Sequence, residues 1–265
     1  MKVKLIIILS FLCVIPLYFI FKEKDSTTSQ ILDFKSINGY NEEYLERYKL
    51  YQKKENIPIK DIVTRVNIGL DHPFYTNTKE VKETGYVTLI NKYNRINKEY
   101  KPNDLVIPQL NNPNKLYLRK DASENYEKMV NDMQKENLNI YLESAYRSYS
   151  YQTYLYNKYK DKDGIEKADT YSARPGYSEH QLGLSFDLKT KEYSYEEFDK
   201  SDEFIWLTNN CYKYGFILRY PKDKESITGY NYEPWHYRYV GKTISKSMKN
   251  KDITFDEYYY LYIKK

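Results

Sequence analysis

The 265-residue sequence is poor in the residues that most often cross-link a chain or hold a metal: it has two cysteines and three histidines. Cys13 falls inside an apolar run, which leaves Cys211 without a partner in the same chain and excludes a disulfide framework. There is no strong charge of one sign. The net charge is +5, and Lys2, Lys4, Lys22 and Lys24 against Glu23 supply most of it. No basic stripe follows, so the composition does not describe a nucleic-acid-binding chain. A second long apolar run is also missing, which excludes a multi-spanning membrane protein, and no internal repeat or long low-complexity tract is visible. With 41% hydrophobic and 30% charged residues, the chain is long enough and apolar enough to bury a core.

The N-terminus, "MKVKLIIILSFLCVIPLYFIFKEK", holds an apolar run from Leu5 to Phe21 between lysines. This is the short end of a membrane span. No small-x-small cleavage site follows it, so residues 1–24 read as an uncleaved signal anchor and residues 25–38 as a polar tether. An exported, low-cysteine domain then favours a bacterial cell surface. The 33 tyrosines fit either codon bias or a wall-binding surface.

Residues 39–265 read as one α+β domain, a mainly antiparallel central sheet with flanking helices. Helical spacing is expected over 41–54, over 121–133 (Ala122, Tyr126, Met129, Val130, Met133, capped by Ser123 or Asp121) and over 148–160. A further helix would place Phe204, Leu207, Thr208 and Cys211 on one face and stop at Gly215. Strands are expected in "DIVTRVNIGL" (61–70), "TGYVTLINKY" (84–93), "LNIYLESAY" (138–146), "FILRYP" (216–221) and "WHYRYVG" (235–241).

The chemistry concentrates in "RPGYSEHQLGLSFDL", residues 174–188, and "YEPWHYRY", residues 232–239. Gly183 and the β-like stretch after it argue against a helix joining His180 to Asp187, and in one continuous strand their odd offset would put them on opposite faces. His180 is therefore expected in a loop, with Gly183 folding the backbone so that it converges on Asp187. A histidine beside a carboxylate is most often a structural hydrogen-bond pair. Imidazole and carboxylate are also zinc ligands, and His236 offers a third. Three protein ligands leave a zinc position open for chemistry, and Glu233 is the candidate carboxylate to move protons beside it. Two of three histidines in carboxylate-bearing turns favour the metal reading. His72, in "DHPFY", lacks such a setting and reads as a turn or surface residue.

"SAYRSYSYQ" (144–152), "SARPGYSEHQLGLSFDL" (172–188) and "EPWHYRYVG" (233–241) resemble, in order, the motifs of VanY-type D-alanyl-D-alanine carboxypeptidases. These are zinc peptidases of the group with Hedgehog-like and lysostaphin-related folds. The resemblance spans roughly residues 58 to 245 and takes in "VNIGLDHPFY" and "LINKY". It implies one zinc ion on His180, Asp187 and His236, Glu233 as catalytic base, and Arg147 binding the substrate's terminal carboxylate or adjacent carbonyl. A guanidinium suits either role. It also implies that Gln152 and Ser178 line the substrate groove. Trp235 and Tyr177 are candidates for groove wall or core, and Cys211 for a buried structural thiol. Ser185 stands where relatives often carry alanine.

The expectation is thus a membrane-anchored, zinc-dependent D,D-carboxypeptidase of the bacterial envelope, held through residues 5–21 and acting on peptidoglycan stem peptides. An L,D-carboxypeptidase, a dipeptidase or a cross-link endopeptidase would share every residue named. A non-catalytic wall-binding protein is the rival from another class. Oligomeric state and physiological role are not legible.

Overall fold

The computed structural model describes residues 33–82 and 84–264. The expected anchor, residues 1–24, lies outside them. Among the described residues no helix is long and apolar enough to cross a membrane. The chain divides into two compact units, the first ending at Asn67 and the second covering Ile68–Lys264.

In the first unit, helices α1 (Leu45–Lys54) and α2 (Ile59–Ile68) enclose a small core of Phe34, Tyr48, Ile62, Val63 and Val66. Phe34, inside the stretch read as a tether, is fully buried and stacks on Tyr48 with ring centroids 5.6 Å apart. Phe34 and the partly buried Ile37 therefore fasten this end of the expected tether to the core, while Asp33, Lys35, Ser36 and Asn38 are exposed. The strand expected over 61–70 is also corrected. Its β-branched residues suit a strand, but Ile62, Val63 and Val66 recur at helical spacing, and burying that stripe decides for α2.

The second unit is built on a four-stranded antiparallel sheet of β1 (Tyr141–Ser144), β2 (Ser185–Lys189), β3 (Phe216–Tyr220) and β4 (Glu233–Tyr239), in the order β1-β2-β4-β3. Helix α3 (Lys120–Lys135) lays Ala122, Tyr126, Met129, Val130 and Met133, all fully buried, into the same core as Leu142, Phe186, Leu188 and Tyr237. Fully burying one such side chain contributes about 1.5–3 kcal/mol, so this face fixes the sheet. The side chains between them, Asp187 on β2 and His236 and Arg238 on β4, take the opposite face. There the C-terminal helix Phe255–Tyr258 packs with Ile217 and Val240.

Helix α4 (Tyr149–Asp163) starts where expected, with the Ser148 hydroxyl accepting from Tyr151 N. Neither expected cap serves α3. Its N-cap is Arg119, without a side-chain bond, while Asp121 accepts from the Tyr86 hydroxyl and Ser123 is buried. Helix α5 (Asp202–Asn210) buries Leu207 and runs into a 3-10 turn that buries Cys211. Thr208 is exposed, and its hydroxyl donates to Phe204 O. Gly215 ends that turn at φ 90°, and a Cβ there would lie 2.6 Å from Tyr239 Cε2.

Residues 84–93 form turns and coil instead of the expected strand. Leu89 and Ile90 are buried, as in a strand, but the carbonyls of Tyr86 and Thr88 accept from the Arg238 guanidinium rather than from a neighbouring strand.

Candidate metal centre

Three local devices assemble the site. The chain after Ser178 makes a 3-10 turn, Glu179–Leu182, closed by Gly183 at φ 67°. A Cβ at Gly183 would sit 2.9 Å from Leu105 Cδ2, in a conformation that side-chain-bearing residues avoid, so the turn needs glycine. It swings His180 over the sheet, where Arg147 N also bonds His180 O at 3.2 Å. The second device is register. Asp187 and His236 are direct cross-strand partners of β2 and β4, which puts their side chains together on one face.

The third device is a bulge. Leu218 pairs with Tyr237, but Tyr220 pairs with Glu233, so β4 carries extra residues around Pro234. In a regular strand Glu233, three residues from His236, would point to the other face. The bulge re-aims it, and Glu233 Oε2 lies 3.4 Å from His236 Nδ1. Glu233 was expected in the approach to the strand. It is instead β4's first residue, displaced by the irregularity.

His180, Asp187 and His236 converge. Asp187 Oδ2 is 3.4 Å from His180 Nε2, and its Oδ1 is 3.1 Å from His236 Nδ1. One donor atom from each lies within 4.8 Å of the others. His180 Nδ1 donates to Ala145 O at 2.7 Å, which leaves the Nε2 lone pair facing the aspartate. His180 Nε2 and Asp187 Oδ1 are buried with no hydrogen-bond partner among the described residues. Buried polar atoms left unmatched in this way are costly. Two imidazoles, one carboxylate and unsatisfied inward lone pairs fit a zinc ion.

Electrostatics follow from burial. Burial pulls His180 down to about 4, and Arg147 adds to this. Burial also disfavours the charged form of His236, but Asp187 and Glu179 outweigh it and push the imidazolium up to about 9. Asp187 is held well below the carboxylate range because the two histidines overcome its desolvation. Burial pushes Glu233 up to about 8, against the pull of His236. A cation held by His236 Nδ1 needs that nitrogen free of a proton.

The site opens into a groove of about 790 Å³ whose lining includes Tyr151, Tyr159, Tyr171, Tyr195, Tyr232 and Trp235. Trp235 meets Tyr195 edge-on at 5.1 Å and is groove wall. Tyr177 is not. It packs edge-on against Tyr75. Ser178 lines the groove and is buried. Arg147 also lines it, its Nη1 donating to Gln152 Oε1 at 3.0 Å. Gln152, expected to line the groove, does line it, and its side chain is engaged at both ends: its oxygen accepts from Arg147 and its amide donates to Ala173 O at 2.7 Å, so it also steadies Arg147. His72 is in a turn and partly exposed, 3.5 Å from Asp71. Cys211 is buried, and burial pushes its thiol up to about 12.

Sequence reading missed what lies beneath His236. Glu179 Oε1 accepts from Arg219 Nε at 2.8 Å and is ion-paired with Arg238 Nη1, also at 2.8 Å. Arg219 Nη1 reaches Asp256 Oδ2 at 2.6 Å, and Asn91 Nδ2 donates to Asp256 Oδ1 at 2.7 Å. All four charged side chains are essentially fully buried. Ser185, the departure noted in the sequence, donates to Glu179 Oε2 at 3.3 Å. The available signal was an arginine in the middle of each of two apolar strands, "FILRY" and "WHYRY".

The model of the VanY family, described as D-alanyl-D-alanine carboxypeptidase, matches residues 115–242. A D-alanyl-D-alanine carboxypeptidase of Enterococcus faecium is 39% identical over 144 residues, 54% of this chain and 44% of that one. The bifunctional D-Ala-D-Ala dipeptidase and carboxypeptidase VanXYC of Enterococcus gallinarum is 34% identical over 176 residues, 64% of this chain and 92% of that one. The chain thus spans less than half of the first of these relatives and nearly all of the second. Among solved structures, the LdcB LD-carboxypeptidase superposes with a TM-score of 0.66 at 36% identity, covering 70% of this chain and 91% of its own. The vancomycin-resistance D,D-pentapeptidase VanY in complex with Zn(II) gives 0.56 at 30%, covering 65% and 98%.

Proposed function

The chain belongs to the VanY D-alanyl-D-alanine carboxypeptidase family of zinc metallopeptidases, and on that premise we propose that it removes the terminal D-alanine from peptidoglycan stem peptides. The observation that carries the reading is the convergence of His180, Asp187 and His236 with a fourth, non-ligand carboxylate, Glu233, 3.4 Å from His236. A wall-binding protein without catalysis has no use for that fourth group.

His180 Nε2, Asp187 and His236 Nδ1 would hold the zinc. When bound it supplies Lewis acidity, polarising a carbonyl and making water acidic near neutral pH. The chain's own residues do the rest. Glu233 takes the proton of the attacking water and passes it to the leaving amine nitrogen. Arg147, steadied by Gln152, pairs with the terminal carboxylate or with the charge developing on the scissile oxygen. Groove tyrosines wall in the stem peptide. The apolar run 5–21 supports an anchored enzyme facing outward from a bacterial membrane.

The LdcB likeness favours a second specificity on the same machinery, L,D-cleavage of tetrapeptides. Incubation with defined pentapeptide and tetrapeptide muropeptides, followed by mass spectrometry, separates the two. The expected product is tetrapeptide plus D-alanine, abolished by a chelator and restored by zinc. Release of D-alanine from tetrapeptide alone would establish the L,D reading. Sacculus binding without release of any amino acid would overturn both.

Arg147→Ala is expected to lower kcat/KM about 10- to 100-fold, the range for losing a charge-assisted hydrogen bond. Zinc content should be unchanged, because Arg147 is not a ligand. An unaltered kcat/KM on pentapeptide would remove it from substrate recognition.

A further inference from the structure

The charged network under His236 has no part in the chemistry above, yet it ends on a metal ligand. His236 has two ring nitrogens. Nδ1 faces Asp187 and Glu233, and Nε2 points the other way, 3.8 Å from Glu179 Oε2, with no hydrogen-bond partner among the described residues. A neutral imidazole that offers one nitrogen to a cation must carry its proton on the other. Metal-bound histidines characteristically give that proton to a carboxylate or carbonyl, which fixes both tautomer and ring orientation. His180 meets the rule through Ala145 O. For His236, Glu179 Oε2 is the acceptor in place, and a shift of less than about 1 Å makes the bond.

Glu179 cannot turn away easily. Its other oxygen is gripped by Arg219 and Arg238, and Ser185 steadies the oxygen that faces His236. Arg219 is in turn pinned by Asp256 in the C-terminal helix, beyond the residues that match the family model, and Asp256 by Asn91, ahead of them.

We propose that Glu179 is a positioning residue that holds the His236 proton on Nε2 and so aims Nδ1 at the cation, and that Asp256 maintains this arrangement by fixing Arg219. The inference rests on the metallopeptidase reading. It makes the C-terminal helix part of the support of the metal centre. It also predicts opposite tautomers for the two ligand histidines: Nδ1–H for His180 and Nε2–H for His236.

The test uses the zinc-loaded full chain labelled with ¹⁵N in its histidines. With only three histidines, one of them the partly exposed His72, long-range ¹H–¹⁵N spectra resolve each tautomer. His236 is expected as Nε2–H with Nδ1 on the metal. Zinc affinity, measured by competition with a chromogenic chelator, is expected to fall about 10- to 100-fold in Glu179→Gln, the range for loss of an outer partner. Should that variant fail to fold, Asp256→Asn, which touches no ligand, is expected to weaken zinc binding at least threefold. A His236 proton on Nδ1 overturns the inference. So does zinc affinity within twofold of the parent in the folded Glu179→Gln protein, or an unchanged affinity in Asp256→Asn. Failure of the parent protein to bind zinc at all removes the metallopeptidase reading itself, an outcome distinct from a wrong tautomer with zinc bound.

Discussion

Glu233→Gln is expected to lower kcat on a pentapeptide by about 10²- to 10⁴-fold, the usual contribution of a positioned acid–base group, while one zinc per chain is retained. Glutamine keeps the size and the polar character of the glutamate, so the bulge that brings residue 233 beside His236 has no steric reason to relax. What disappears is the capacity to take a proton and give it back. The donor set does not include Glu233, so metal content should be unaffected. Steady-state kinetics with metal analysis of the same sample checks both halves. Turnover within tenfold of the parent would end the acid–base role. Loss of zinc would make Glu233 a ligand instead.

His180, Gly183 and Asp187 sit within one short motif, so their convergence depends mostly on local turn geometry, and that was legible. The meeting of Asp187 with His236 depends on a cross-strand register that alternation along either strand does not contain. Residue type and a carboxylate-bearing turn made His236 a candidate third ligand, and the family resemblance implied the full set. The re-aiming of Glu233 depends on a bulge, which the pattern does not announce beyond Pro234 itself. Residues 84–93 were misread because burial there looks like that of a strand, whereas their carbonyl partner is the side chain of Arg238, more than a hundred positions away. Arg219 and Arg238 were passed over because an arginine in a strand ordinarily points to water. In this sheet both faces are covered, and the carboxylates that make their burial tolerable lie in a turn and in the C-terminal helix.

Those arginines lead to the second large effect. Arg219→Met is expected to cost about 3–5 kcal/mol of stability at pH 7, the range for removing one partner of a buried ion pair. Methionine fills much of the space. It leaves Glu179 with Arg238 alone and Asp256 with the neutral Asn91, so the buried network changes from balanced to singly negative. The pH dependence carries the sign of the effect. Burial raises the Glu179 pKa, but Arg219 and Arg238 outweigh it and hold the carboxyl far below the ordinary range. Such a group contributes stability that is fully present above the unfolded-state pKa, about 4.3 for glutamate, and is lost as pH falls through the folded value. Without Arg219 the Glu179 carboxylate protonates more readily, which relieves the unpaired charge in acid. The gap between parent and variant should therefore be widest near neutral pH and shrink below about pH 4. Urea unfolding at the two pH values, on chelator-treated protein so that zinc linkage does not enter, measures it. A loss smaller than about 1 kcal/mol at pH 7, the scale of an exposed pair, would mean that the network is open to water. An equal loss at both pH values would show that packing, not charge, is what Arg219 supplies.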